Sequence, residues 1–155
     1  MEKTQTFDEQ TAHRRFAARC FNQAWDLIEK SDRTKDEDLE MVRLTHASHW
    51  HWTQVKDHTP KNISIAYWQA ARIYALLGDA EHAMCYAEAC LEVSRSDGVE
   101  PFYLGYAFEA LSRAASVADD RESSEQYRDE AARIATSVRD EDSRRQLEQD
   151  LKTIK

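Results

Sequence analysis

Glycine and proline are scarce in this chain, with three and two in 155 residues. An all-β chain of this length turns often and uses both residues at its turns, so their scarcity argues against β architectures. Three glycines also cannot build a glycine-rich phosphate loop. No apolar run approaches the roughly 20 residues that span a bilayer. The start, Met1-Glu2-Lys3-Thr4-Gln5-Thr6, has no apolar stretch of the signal-peptide kind. Three cysteines, Cys20, Cys85 and Cys90, cannot all pair, and none sits in a CxxC motif. That usage fits a reducing, cytoplasmic home. Positive charge is outnumbered, giving a net charge of −8. Nucleic acids and anionic membrane surfaces are both bound through cationic patches, so neither is expected as a partner.

What is present is the composition of amphipathic helices, with 32% charged and 41% hydrophobic residues. The length suits one domain spanning 1–155, and a chain of that size buries roughly 70% of its unfolded surface without metal or disulfide staples. Periodicity and capping signals predict seven helices. The first runs over Asp8–Lys30, with Phe16, Cys20, Ala24, Leu27 and Ile28 on its apolar face. Thr34 with Glu37 forms a capping box for a second helix reaching Lys56. After Thr59-Pro60, Asn62 is the expected cap of a third, over Ile63–Leu77. Gly78-Asp79 pairs a helix stop with a helix cap, and the fourth covers Ala80–Ser94. Pro101 suits the first turn of a fifth, Pro101–Ala118. Asp119 starts a sixth, to Val138. Asp140 caps a seventh over 140–154, whose stripe of Leu147, Leu151 and Ile154 is expected to pack on the sixth and cap the open end of the helix stack.

An internal repeat is visible. Tyr67, Ala70, Ala71 and Tyr74 stand at the bulky, medium, small and aromatic positions of a tetratricopeptide repeat. Leu77-Gly78-Asp79 marks its turn, and Ala83, Ala87 and Cys90 its second helix. About 41 residues later Phe108, Leu111, Ser112 and Ala115, then Ser124 and Ala131, repeat the spacing. The family's usual period is 34, and a longer link through Gly98–Phe102 absorbs the difference. Neither unit has the family's closing proline. The chain over 63–94 and 101–138 therefore resembles tetratricopeptide-repeat proteins. The resemblance implies an all-α, right-handed stack of antiparallel helix pairs, and the pair over 8–56 is a divergent first one. That pair carries Asn22 and Trp25, Arg33-Thr34, and His46-Ala47-Ser48 with His51-Trp52. In these residues it resembles a group of uncharacterised bacterial tetratricopeptide-like proteins, a resemblance that implies no activity.

No catalytic motif stands out, and no cofactor is expected. His82 lies one turn before Cys85, but no third residue or oxyanion site completes a nucleophile. His46 and His49 share a face of the second helix while His51 points away, and His13 should face the same interface from the first helix. Two readings stand for His13, His46 and His49. They are packed core histidines, or they form a metal site, though without the glutamate of HExxH. Trp50 and Trp52 read as core of a helix sandwiched between neighbours.

Trp68 and Arg72 on the third helix, with Tyr106, Glu109 and Arg113 on the fifth, fall on the concave face in the repeat framework. Trp, Tyr and Arg dominate binding hot spots. The expectation is a protein- or peptide-binding groove in which Arg72 and Arg113 hold an acidic segment or a free C-terminus. The other reading is a solvated arginine row, or a structural strut if Arg72 pairs with Glu109.

Overall fold

The computed structural model describes residues 7–155, so the Met1–Thr6 start lies outside the described residues. Among the described residues there are seven α-helices and no strand: α1 Glu9–Glu29, α2 Lys35–Gln54, α3 Pro60–Leu76, α4 Ala80–Ser94, α5 Pro101–Val117, α6 Arg121–Ala135 and α7 Glu141–Leu151. No helix among them is long and apolar enough to cross a membrane. The chain divides into two compact units, Met1–His58 and Thr59–Lys155.

The first unit is a hairpin of α1 and α2. It is antiparallel, because Gln10 at the start of α1 donates to the Gln54 carbonyl at the end of α2 (3.2 Å). At its centre the buried Ser48 hydroxyl donates to the Ala17 carbonyl at 2.8 Å. Arg33 organises the turn. Its Nη1 reaches the Lys30 carbonyl (2.6 Å) and the Leu27 carbonyl (3.3 Å), and its Nε donates to Asp38 (2.7 Å). It thereby satisfies carbonyls that the end of α1 leaves open. Thr34 and Glu37 close the expected capping box on α2.

Burial in this hairpin is narrower than the sequence reading. The buried stripes are Ala17, Ala24 and Ile28 on α1, and Met41, Thr45 and Ser48 on α2. Phe16 is 45% and Trp50 56% exposed, so neither is core as expected, and Trp52 is only partly buried. The physical reason is the small-residue seam. Ala17 against Ser48 brings the two backbones close and leaves the larger rings at the margins.

The second unit starts one turn earlier than predicted. Thr59, not Asn62, is the N-cap of α3; Pro60 takes the first helical position, and Asn62 closes a capping box back onto Thr59. Neighbouring helices pack side by side from α3 to α7. Ala70, Ala71, Ala83 and Cys90 are buried, as are Leu111, Ser112, Ser124 and Ala131 at the positions 41 residues on, and Ala87 and Ala115 are buried too. Small side chains at these places let paired helices approach closely. Ser112 and Ser124 show how closely, since each donates its hydroxyl to the other's carbonyl (2.8 and 2.9 Å).

The two turns also repeat. Asp79 N–H bonds the Tyr74 carbonyl at 2.9 Å and Asp120 N–H bonds the Ala115 carbonyl at 3.0 Å, the long closure of a Schellman turn. The left-handed residue is Gly78 (φ 76°) in one and Asp119 (φ 58°) in the other. The cap of α6 is therefore Asp120, one residue later than predicted. Leu147, Leu151 and Ile154 are buried with Tyr106, Ala131 and Ala135, so this stripe packs on α5 as well as on α6. Gly105 makes room for it, because a Cβ there would lie 2.5 Å from Leu147 Cδ2.

The paired turns give a matched test. Asp119→Gly removes a Cβ from a left-handed position and should stabilise the chain by about 0.5 kcal/mol. Gly78→Ala meets no neighbour within 4 Å, so its cost is backbone strain alone, about 1 kcal/mol. Urea unfolding at unchanged m-value measures both.

Candidate functional site

Helices α3, α5 and α7 bring the predicted row together. At its centre Glu109 is 1% exposed. A buried carboxylate needs cations and donors around it, and its own helix α5 together with α3 provides them. Arg113 Nε and Nη2 donate to Glu109 Oε1 at 2.8 and 2.5 Å. Arg72 Nη1 lies 3.6 Å from the same oxygen, and Trp68 Nε1 donates to Oε2 at 3.2 Å. Arg113 reaches on to the Asp150 carbonyl (3.2 Å) and Thr153 Oγ1 (2.8 Å) at the end of α7. Tyr106 donates its hydroxyl to Asp150 Oδ2 at 2.5 Å. Burial, reinforced by that carboxylate, pushes the Tyr106 phenol far above its ordinary range.

This geometry changes the roles expected of the arginines. Both guanidiniums face an internal carboxylate, and their side chains are only 20% and 14% exposed. Burial, then the nearby Arg113, lowers the pKa of Arg72 below its ordinary value. Arg72 is thus ion-paired with Glu109, the arrangement of the second reading, while its Nε is buried without a hydrogen-bond partner. Two arginines against Glu109 and Asp150 also make the cluster formally neutral.

Beside the cluster lies a cavity of about 250 Å³, lined by Ser64, Ile65, Trp68, Phe102, Tyr103, Tyr106 and Gln146. Phe102 and Tyr103 also border a second depression of about 560 Å³ with Pro101, Val138, Arg139 and Asp140. Sequence reasoning found Trp68 and Tyr106 and missed the rest of the wall. The signal was present one turn back along each helix, since Ile65 and Ser64 precede Trp68 by three and four residues, and Tyr103 and Phe102 precede Tyr106 in the same way. Gln146, Asp150 and Thr153 carried no such signal, because only the docking of α7 brings them to the row.

The histidines regroup as well. His13 does not meet a His46/His49 pair; its Nδ1 lies 2.8 Å from His51 Nδ1. One ring must donate and the other accept. Glu9 approaches the far side of His13 at 3.6 Å, and Trp50 and Phe16 pack against the two imidazoles. Asp32 stands midway in sequence between His13 and His51, so a hairpin folded at that break sets the two face to face. Burial, then His46, lowers the pKa of His49. Among the described residues no group of three or more His, Cys, Asp or Glu is placed to hold a metal ion.

No family model, no curated protein and no solved structure matches the chain.

Glu109→Gln keeps the shape and the acceptor for Trp68 but leaves two guanidiniums without their counter-charge. It should destabilise the second unit by on the order of 3 kcal/mol, read by denaturant unfolding; a loss below about 1 kcal/mol would show that the clamp is dispensable. The hairpin should be acid-sensitive. Burial, then His13, holds His51 below the ordinary 6.5, and His49 is lowered too. Unfolded chain then binds protons more readily, so this stability is present above about pH 6.5 and lost as pH falls below it. Hydrogen exchange of α1 and α2 amides should speed up between pH 7.5 and 5.5 once intrinsic rates are corrected, and His51→Gln should flatten that dependence.

Proposed function

We propose that the second unit is a short tetratricopeptide-like stack that binds a segment of a partner protein through the aromatic cleft. The observation that carries this reading is the cavity walled by Trp68, Phe102, Tyr103 and Tyr106. Concave, aromatic-lined depressions with few polar groups are the usual form of a side-chain-binding pocket. The two repeat turns, the small residues 41 positions apart and the antiparallel pairing of α3 with α4 and α5 with α6 support the tetratricopeptide-like framework. Such frameworks usually bind rather than catalyse, a point of fold-level analogy.

The pocket's chemistry argues for an uncharged or weakly polar wall. Its nearby ionic groups are already paired with each other, and the depression running on from Phe102 and Tyr103 offers a track for an extended segment. An anchor residue would enter the cleft and its flanking backbone would follow that track. Acidic-segment recognition by Arg72 and Arg113 is not part of the proposal, because engaging an outside carboxylate would mean loosening Glu109.

The test is selection of peptides from a random library on the intact chain and on Ile65→Arg, which projects a bulky cation into the cleft. Peptides selected on the parent should lose at least tenfold in affinity on Ile65→Arg, about 1.4 kcal/mol, with unchanged melting temperature. Peptides that bind both equally would overturn the reading.

A further inference from the structure

We propose that the residue taken by this cleft is a methylated lysine of the partner, its quaternary ammonium enclosed by aromatic rings. The inference rests on the peptide-binding reading above and specifies its guest. Three observations carry it.

The rings meet edge to face. Trp68 and Tyr106 meet at 79° with centroids 5.4 Å apart, Phe102 and Tyr106 at 74° and 5.0 Å, and Phe102 and Tyr103 at 83° and 5.2 Å. Perpendicular rings around a shared cavity present several walls to one guest, and a diffuse cation such as trimethylammonium is bound by contact with several π faces at once.

The rings are also polarised in the right sense. Trp68 donates its indole N–H to Glu109 (3.2 Å), and Tyr106 donates its hydroxyl to Asp150 (2.5 Å). Donation to a carboxylate shifts electron density toward the ring, which deepens the negative potential over its face. The paired arginines neutralise the formal charges without sitting in the cavity wall.

A cation already uses one of these rings. Lys61 Nζ lies 4.9 Å from the Tyr103 centroid, steadied by Glu100 at 3.9 Å. The surrounding chain has net charge −8, so its long-range field favours a cationic guest over an acidic one.

The experiment titrates the intact chain, by calorimetry, with a short trimethyllysine peptide, with its neutral analogue in which a tert-butyl group replaces the trimethylammonium, and with choline. The charged peptide should bind roughly threefold to tenfold tighter than the neutral one. Phe102→Leu, which keeps apolar volume and removes a π face, should abolish that preference. Lys61→Gln removes a competing charge and should tighten the charged peptide while leaving the neutral one unchanged. Equal binding of the two peptides would overturn the cation inference and leave the apolar cleft standing. Binding of neither, with library-selected peptides still lost on Ile65→Arg, would likewise overturn this inference alone. Choline binding as tightly as the trimethyllysine peptide would overturn a peptide source for the guest. Loss of the Ile65→Arg effect itself is what would overturn the underlying reading.

Discussion

Glu109 is a carboxylate taken out of water, and the inner face of the second unit is arranged around that fact. Leaving such a group unpaired costs several kcal/mol, whereas an exposed arginine–carboxylate contact is worth about 0–1 kcal/mol. The comparison decides what Arg72 and Arg113 do. They stay with Glu109, and Arg113 extends the tie to the end of α7 through Asp150 and Thr153. Three helices are fixed to one another through a single acid, and the cavity beside it is walled by aromatic rings rather than by these charges.

That acid is where it is because of the repeat. Trp68 and Glu109 stand at equivalent positions 41 residues apart, as do Arg72 and Arg113. Equivalent positions on α3 and α5 lie side by side once small residues let the helices close up. Ala71 and Ser112 on one helix of each pair, and Ala83 and Ser124 on the other, provide that closeness. Substituting tryptophan for glutamate at one of two matched places turns a repeated pattern into a hydrogen bond.

The first unit uses a different device. Its long helices are joined at a turn where Arg33 caps the carbonyls of α1 and Thr34 caps the amides of α2. The Ser48–Ala17 bond then sets the register, and the register sets His13 against His51. Arg33, Thr34 and Ser48 of the Arg-Thr and His-Ala-Ser runs thus serve the closing of the hairpin.

The sequence alone determined the helices and their limits to within a few residues, because capping groups, Gly78 and Pro101 act through local backbone chemistry. It also determined the small positions spaced 41 residues apart and the row of Trp68, Arg72, Tyr106, Glu109 and Arg113, since helical spacing is a local property. Where the reading slipped, by three residues at Thr59 and by one at Asp120, two nearby groups could each have capped, and the choice was made by Pro60 and by the left-handed Asp119. Tertiary structure alone decided that the arginines face inward, that Phe102 and Tyr103 complete the wall, and that Asp150 arrives from α7. It also decided that Trp50 lies at a margin and that His13 meets His51 rather than His46 and His49. These depend on the distance and register between helices. One helix's periodicity gives the direction of a side chain but not what stands opposite it, and for a charged or aromatic group the partner opposite decides between strut, wall and ligand.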